Sequence, residues 1–350
     1  MRSLVVACGI GAAGCNYPAL PELAGDASID AVGAVDAVDA SMNVPPTVLS
    51  CQGLARACGP YGNDDCCNSP PVAGGTYYRS YDRASDGTWG NKSFAAMVSN
   101  FRLDKYEVTV ARFRAFVTAG RGTQERPPGA GDGAHAKIAG SGWDPSWNTS
   151  LLVDKTALIL KVKCDATFQT WTDSPGLNEA RPMNCITWYE AMAFCAWDGG
   201  YLPTEAEWNY VASGGGDTQG QRAYPWSNPP EALTPFDNMH ASYFDGSDCV
   251  GDGASGCAVT DLLRAGSKPM GDGRWGQSDL AGNVWEWNLD WYGAYVTPCN
   301  DCALVSGSAS RVLRGGSLTN DAPYLRAAYR RDNTPARRLG DIGVRCARTQ

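Results

Sequence analysis

Histidine is the rarest reactive residue in this chain, since its 350 residues include only His135 and His240. A metal centre with three histidine ligands is therefore excluded. Basic residues are also in the minority, with 29 Lys and Arg against 37 Asp and Glu, and they form no long run. Nucleic-acid binding depends on clustered positive charge that displaces counterions. We therefore expect no nucleic-acid partner.

Long hydrophobic runs are missing as well. The apolar stretch over residues 4–15 is shorter than the roughly 20 residues that a transmembrane helix needs. Because it follows Arg2 and ends in small residues, it predicts an export signal over residues 1–15. Its last three residues, AGC, are similar to a bacterial lipobox, so we expect Cys15 to be lipidated. A plain secretory signal, or a start codon assigned too late, would explain the same residues.

The next segment, residues 16–50, combines small residues with isolated acids and the pair Pro45-Pro46. Such a composition buries too little apolar surface to offset chain entropy, which predicts a disordered tether. We expect a small Cys-rich segment over residues 51–70 and one domain over residues 71–350. The protein would be exported to the periplasm, the outer membrane or the cell surface. Its only membrane contact would be the lipid anchor.

Cysteine, in contrast, is abundant. Of the 14 cysteines, Cys8 lies in the signal and Cys15 is the lipidation candidate, which leaves twelve. An even number in an exported chain predicts disulfides, although their connectivity stays open. The disulfide candidates are Cys51, Cys58, Cys66, Cys67, Cys164, Cys185, Cys195, Cys249, Cys257, Cys299, Cys302 and Cys346.

Local patterns predict a mixture of short strands and short helices. Strands are predicted over 72–79 and 101–109, helices over 110–117 and 188–197, and a helix start over 203–208. Thr204 and Glu207 have the spacing of a capping box. The chain has 41 Gly and 21 Pro, which predicts turns for the residues outside these strands and helices. We therefore expect an α+β fold with much irregular structure.

Seven segments resemble the formylglycine-generating enzyme, or sulfatase-modifying factor, family and keep its order from about residue 70 to the end. The segments are 101–109 (FRLDKYEVT), 181–188 (RPMNCITW), 201–210 (YLPTEAEWNY), 224–226 (YPW), 279–287 (DLAGNVWEW), 311–317 (RVLRGGS) and 343–345 (GVR). Any one of them could arise by chance, whereas seven in register are specific. The resemblance implies a C-type-lectin-related fold.

Two carboxylates around a Gly-Asn turn can direct oxygens at one hard cation such as calcium. The resemblance implies a structural calcium ion, held by the side chains of Asp279 and Glu286 and the carbonyls of Gly282 and Val284. A weaker match to a second calcium site consists of Asn238 and the carbonyl of Met239. Alternatively, Asp279 and Glu286 only accept hydrogen bonds from buried amides.

The family oxidises a substrate cysteine to formylglycine with oxygen and with copper held by two cysteines. Thiolates suit copper(I) because soft sulfur prefers a soft metal. In this chain the two matching positions are Asn320 and Leu325. Neither residue can supply a thiolate, so we expect the signature activity to be absent. Iron enzymes of the wider superfamily use three histidines, so we expect neither copper nor iron here.

Several residues match or adjoin family positions around the peptide groove, namely Arg314, Ser317, Tyr324, Arg330 and Trp285. Arginine and aromatic residues concentrate binding energy at interfaces, so the groove could bind a protein, a peptide or a glycan. They could equally hold strands together. The C-terminal arginines could attract an anion or balance nearby acids; they are Arg326, Arg330, Arg331, Arg337 and Arg338. We expect His135 to be a solvated loop residue and His240 to be a packing or hydrogen-bonding residue.

The sequence thus predicts an exported, lipid-anchored binding module of the sulfatase-modifying factor type without formylglycine-generating activity. The alternative is a metal-dependent oxidoreductase, of the formylglycine-generating or non-haem iron type, that uses the same cleft.

Overall fold

The computed structural model describes residues 48–84, 86–216, 220–230, 232–233, 237–307 and 309–350. The predicted signal, Cys15 and residues 16–47 of the predicted tether lie outside these ranges. Ser50, the last residue of the predicted tether, is buried in the body. Its backbone N–H donates to Asp198 Oδ1 at 2.7 Å. In the described ranges, no helix combines the length and apolar character that crossing a membrane requires.

Four α-helices are found in the described residues, and each begins after a side chain that caps it. They are α1 (Val110–Thr118), α2 (Lys155–Lys161), α3 (Trp188–Trp197) and α4 (Glu205–Ala212). The predicted capping box is confirmed, since Thr204 accepts from the Glu207 N–H while Glu207 accepts from the Thr204 N–H. Thr187 and Glu190 form a second capping box at α3. These caps satisfy backbone donors that would otherwise lack a partner.

Nine short strands form three sheets in the described ranges. They are β1 (Pro71–Val72), β2 (Gly75–Tyr78), β3 (Ala95–Val98), β4 (Phe101–Leu103), β5 (Trp285–Trp291), β6 (Arg311–Arg314), β7 (Arg331–Asn333), β8 (Ile342–Gly343) and β9 (Ala347–Thr349). Two sheets are antiparallel, in the orders β1-β4-β9 and β2-β3. The third has the order β7-β6-β5-β8, and only β8 runs parallel to its neighbour. The predicted α+β class is confirmed.

Two predicted strands are shorter than expected. The segment 72–79 divides at Gly74, where a Cβ atom would lie 2.3 Å from the Val98 carbonyl oxygen. The close approach of these two backbones separates β1 from β2. The strand in the segment 101–109 ends at Leu103, and the next residue, Asp104, pairs with two buried arginines.

The largest apolar cluster lies where α1 and α3 pack on β5. The Phe113 ring of α1 stacks on the Phe194 ring of α3 at 5.8 Å, and Trp287 of β5 belongs to the same cluster. A second cluster lies around Trp208 of α4. The strand β5 therefore runs between the two cores, and its neighbours in the sheet are β6 and β8.

All twelve candidate cysteines form disulfides, as predicted. The pairs are Cys51–Cys67, Cys58–Cys66, Cys164–Cys185, Cys195–Cys346, Cys249–Cys257 and Cys299–Cys302. Two of them close rings inside the Cys-rich segment. Cys195–Cys346 joins α3 to the segment before β9, across 151 residues.

Candidate functional site

Asn320 occupies one of the two positions where the family resemblance would place a copper-binding cysteine. Its side-chain oxygen accepts a hydrogen bond from Ser317 Oγ at 2.8 Å, and its N–H donates to the Ser317 carbonyl at 3.0 Å. Its own carbonyl accepts from the Phe244 N–H at 2.9 Å. Hydrogen bonds with Ser317 in its own segment and with Phe244 in a distant one therefore fix the position of Asn320.

Leu325 occupies the other position and is fully buried. It belongs to an apolar cluster that also contains Ala84, Ala223, Tyr224, Trp226, Ala241, Tyr243 and Ala281. Its side chain packs on the backbone of Gly316, where a Cβ would lie 2.8 Å from Leu325 Cγ. Leu325 therefore fills a packed interior site and is no part of an open cleft.

A polar group surrounds Ser317 beside Asn320. Ser317 Oγ lies 3.1 Å from Thr319 Oγ1 and 3.4 Å from Asp341 Oδ2. Burial raises the pKa of Asp341, although Arg331 and these hydroxyls act in the opposite direction. This cluster can offer hydrogen bonds to a ligand. A carboxyl, a hydroxyl and an amide are not the soft sulfur ligands that copper(I) prefers.

Trp285, another predicted cleft residue, is joined to this group through its backbone, because its N–H donates to the Asp341 carbonyl at 2.8 Å. Its buried indole Nε1 has no acceptor among the described residues. The guanidinium of Arg331 lies 5.5 Å from the centre of the indole ring. Tyr324 is 36% exposed and contacts Tyr329, with 4.9 Å between ring centres. The exposed part of the site is therefore aromatic and cationic.

The two predicted cleft arginines Arg314 and Arg330 instead converge on one buried carboxylate. Glu205 Oε1 lies 2.7 Å from Arg314 Nη2, and its Oε2 lies 2.7 Å from Arg330 Nη2. Arg314 also donates to three carbonyls of the segment 327–329. This arrangement supports the structural alternative for both arginines. Glu205 was not predicted to be their partner.

The donor chemistry of the described residues does not fit copper or a three-histidine iron site. The twelve cysteines from Cys51 to Cys346 are all in disulfides, so none of them can supply a thiolate. The two histidines lie in different surroundings, described below. Within the described ranges, no three or more His, Cys, Asp or Glu side chains come together in a metal-binding group.

Glu286, the predicted calcium ligand, is bound to an arginine. Arg345 Nη2 lies 2.7 Å from Glu286 Oε1, and Arg345 Nε donates to both oxygens. The indole of Trp208 donates to Oε2 at 2.7 Å. A buried carboxylate whose oxygens face a guanidinium in this way does not fit a calcium ligand, because the arginine already supplies the positive charge.

Asp279, the other carboxylate of the predicted calcium site, accepts from the Gly266 N–H at 2.6 Å. Burial raises its pKa to about 6. The buried Glu107 accepts hydrogen bonds from the Asn283 side chain and the Val284 N–H. Burial, together with the charges of Asp279 and Glu286, raises the pKa of Glu107. Asp279 thus satisfies a buried amide, which was the alternative interpretation of this motif.

The weaker calcium match does not form a closed set of ligands. The Asn238 carbonyl accepts a hydrogen bond from the Lys268 ammonium. Met239 is 55% exposed, and its N–H donates to Asp237 Oδ1 at 3.0 Å. An ammonium on the Asn238 carbonyl does not favour a second cation there.

The prediction that His135 is solvated was wrong. His135 is buried, with Nε2 3.3 Å from Glu207 Oε1, and its Nδ1 accepts from the Lys137 N–H at 3.2 Å. Tyr201 donates to the same Glu207 oxygen at 2.8 Å. The prediction for His240 is confirmed, because its ring contacts Trp226 at 5.1 Å.

The C-terminal arginines largely balance acids, one of the two alternatives considered. Arg326 pairs with Asp82 and Asp86, and Arg338 pairs with the buried Glu190. Arg330 pairs with Glu205, as described above. Arg331 makes no ion pair within the described ranges and lies over Trp285.

The fold, the disulfides and the degenerate cysteine positions together define a protein of the formylglycine-generating-enzyme type. The chain belongs to the sulfatase-modifying factor family: residues 68–350 match the family model described as "Sulfatase-modifying factor enzyme 1-like domain".

Among related proteins, the formylglycine-generating enzyme of Streptomyces coelicolor is 31% identical over 71% of this chain and 77% of its own length. The inactive C-alpha-formylglycine-generating enzyme 2 of Bos taurus is 34% identical over 47% of this chain. That match spans 50% of the bovine protein. The chain likewise spans less than half of the mouse and bovine formylglycine-generating enzymes that it matches.

Among solved structures, PvdO from Pseudomonas aeruginosa superimposes with a TM-score of 0.51 at 18% identity. The match covers 81% of this chain and 95% of PvdO. At this level of identity the likeness supports the fold alone.

Proposed function

We propose that this chain is a binding module that lacks formylglycine-generating activity and acts at the cell envelope. One observation supports the proposal above the others: Leu325, at one copper-ligand position, fills an apolar cluster. A hydrocarbon side chain cannot hold copper(I), and the amide of Asn320 at the other position is a poor donor for it. When bound, copper supplies the oxygen chemistry of the family, but these two residues cannot retain it.

The retained polar and aromatic residues suit binding. Asn320 and Asp341 are partly exposed and present amide and carboxyl groups, while the buried Ser317 donates a hydrogen bond to Asn320. Aromatic and arginine side chains are enriched where binding energy is concentrated. A protein, a peptide or a glycan could make such contacts without any chemical step.

The location at the envelope rests on the disulfides and on the N-terminal sequence. Six disulfides persist in an oxidising compartment and are rare in the cytosol. A lipid on Cys15, followed by a tether, would hold the folded body at a membrane surface.

The test is a peptide oxidation assay with the disulfide-intact body from residue 48. The protein is incubated with copper, oxygen, a reductant and a peptide that carries the sulfatase-type cysteine motif, and the peptide mass is followed. The Streptomyces enzyme is the positive control. We expect an unchanged peptide mass, and conversion to the aldehyde at an enzymatic rate would overturn the proposal.

The similarity to the Streptomyces enzyme favours a second candidate, a metal-dependent oxidoreductase that uses other ligands in the same domain. Metal analysis of the purified protein distinguishes the two candidates. Stoichiometric copper or iron, removed by a chelator together with turnover, would support the oxidoreductase.

A further inference from the structure

A cavity of about 540 Å³ lies beside the β2-β3 hairpin, within the roughly 300–1,000 Å³ range of small-molecule sites. Its walls include Thr76, Tyr78, Tyr81, Lys92, Gly216 and Gln221. None of these residues belongs to the Ser317, Asn320 and Asp341 group or to the cluster around Leu325. The cavity is therefore a second candidate site.

Two tyrosines form one wall, and a buried glutamine holds them in place. The Gln221 amide accepts from the Tyr78 N–H at 2.6 Å and donates to the Tyr78 carbonyl at 2.7 Å. It also donates to the Tyr81 carbonyl at 3.1 Å. The two rings meet edge to face, with 5.9 Å between their centres. Since the backbone of both tyrosines is fixed, the wall is formed before any ligand binds.

The cavity lining carries one exposed cation that can meet an anion. Lys92 lines the cavity, in a chain whose net charge is −8. The exposed Lys92 ammonium lies 4.9 Å from the Tyr81 ring centre and 5.7 Å from that of Tyr78. It has no carboxylate partner among the described residues. A ligand anion can therefore reach Lys92 without breaking an ion pair.

The backbone at the cavity excludes one common mode of peptide binding. An extended peptide usually adds to an open strand edge. Thr76 on β2 is covered, since a Cβ on Gly216 would lie 1.7 Å from the Thr76 carbonyl oxygen. The other edge of the hairpin is also occupied, because the Met97 N–H donates to the Cys299 carbonyl at 3.0 Å. Recognition in this cavity must therefore come from side chains.

Aromatic rings bind apolar faces, and their hydroxyl groups bind polar rims. A pyranose ring has such a C–H face and a rim of hydroxyls, and an acidic sugar adds an anion for Lys92. We propose that this cavity is a binding site for an acidic saccharide, with a sugar ring stacked on Tyr81 beside Tyr78 and its carboxylate or sulfate held by Lys92. This inference rests on the proposed function and gives it a ligand class and a site.

The experiment is isothermal titration of the disulfide-intact body with two charged probes, tetragalacturonate and a heparin-derived tetrasaccharide. The fully methyl-esterified tetragalacturonate has the same sugar rings without the negative charges and serves as the uncharged control. We expect one charged probe to bind, and Tyr81→Ala to weaken this binding about tenfold or more, the loss of one stacked ring. We expect Lys92→Gln to weaken it about five- to tenfold and to abolish the preference for acid over ester.

Two matched variants control for composition. Tyr61→Ala removes a tyrosine that is 86% exposed on the Cys-rich segment, and Lys155→Gln removes an exposed lysine on α2. Neither should change the affinity. Because Lys92 is also exposed, its substitution tests the site even if Tyr81→Ala fails to fold.

Three results would overturn the inference. They are no binding of either charged probe at millimolar concentration, unchanged affinity in both cavity variants, or tighter binding of a phosphotyrosine peptide at the same residues. The peptide oxidation assay is independent of all three. Aldehyde formation there would overturn the proposed function, whereas failure of the saccharides to bind would overturn only this inference.

Discussion

Arg112 Nη2 and Asp198 Oδ2 lie 2.6 Å apart, and neither side chain has any exposed surface. Asp104 and Arg348 complete a buried group of two carboxylates and two guanidinium groups. The four residues come from α1, the end of α3, the residue after β4, and β9. The group therefore joins the helical core to the sheet that contains both β1 and β9.

Removing one charge from this group should strongly destabilise the fold. We expect Asp198→Asn to lower the free energy of unfolding by about 3–5 kcal/mol, because it leaves two buried guanidinium groups with the single carboxylate of Asp104 between them. Urea denaturation of the disulfide-intact protein measures the change. The matched control is Glu125→Gln, at an exposed position, where we expect a change within about 0.5 kcal/mol. Equal effects of the two variants would contradict the structure.

The same group predicts an acid limit to stability. Burial raises the pKa of Asp104, but Arg348 and Arg112 outweigh it, and the pKa lies below its ordinary 3.8. A lowered carboxyl pKa contributes stability that is complete above the unfolded value and is lost as the pH falls through the folded value. We expect unfolding free energy to fall below about pH 4 in the parent protein. The Asp104→Asn variant should be less stable overall. Its unfolding free energy should lack the part of the pH dependence that Asp104 contributes.

Leu325 should behave as a core residue. Its replacement by alanine should lower the free energy of unfolding by about 2–5 kcal/mol, since it opens a cavity in an apolar cluster. Leu177→Ala provides the control, because Leu177 is 97% exposed. A near-zero effect of Leu325→Ala would indicate that this side chain lies in an open cleft, as a catalytic position would.

His135 should titrate above its ordinary range. Burial alone would lower its pKa, but the hydrogen bond and charge of Glu207 raise it above 6.5. The His135–Glu207 pair should therefore stabilise the fold fully below about pH 6.5 and lose this contribution as the pH rises through the folded pKa. NMR titration of the imidazole C–H signal measures this value. We expect Glu207→Gln to lower the pKa and Glu125→Gln to leave it unchanged.

Calcium should have little effect on thermal stability. The Glu286 oxygens accept hydrogen bonds from Arg345 and Trp208, so this carboxylate has no need of a second cation. We expect the same unfolding midpoint in millimolar calcium and in excess EDTA, measured by calorimetry. A midpoint that rises with calcium, and no longer does so in Asp279→Asn, would support the calcium ion that the family resemblance implies.

The helix starts could be predicted because their signals are local. Thr109, Thr187 and Thr204 each lie directly before an apolar helical pattern, and all three cap a helix. The strand boundaries depend on distant contacts, such as that of Gly74 with Val98, which no short pattern records. Helix α2 was missed because it has only seven residues and a single buried side chain, Leu158.

The candidate site was predictable only in part. Family order located Asn320 and Leu325 in the chain, but not the burial of Leu325 in a cluster drawn from distant segments. Arg314 was assigned to a cleft and Glu205 lay within a predicted helix start, whereas the structure pairs them across a sequence separation of 109 residues. Opposite charges far apart in sequence give no pattern that would reveal such a pair.

The Cys195–Cys346 bond has a mechanical consequence. If the oxidised body were pulled apart between Pro71 and Ala347, tension could lengthen residues 72–163 and 186–194. The loops 164–185 and 195–346 would be bypassed, because the load passes through their sulfur atoms. The cavity wall at Tyr78 and Tyr81 would then be drawn out, while residues 311–325 would stay in the bypassed loop, which bears no load.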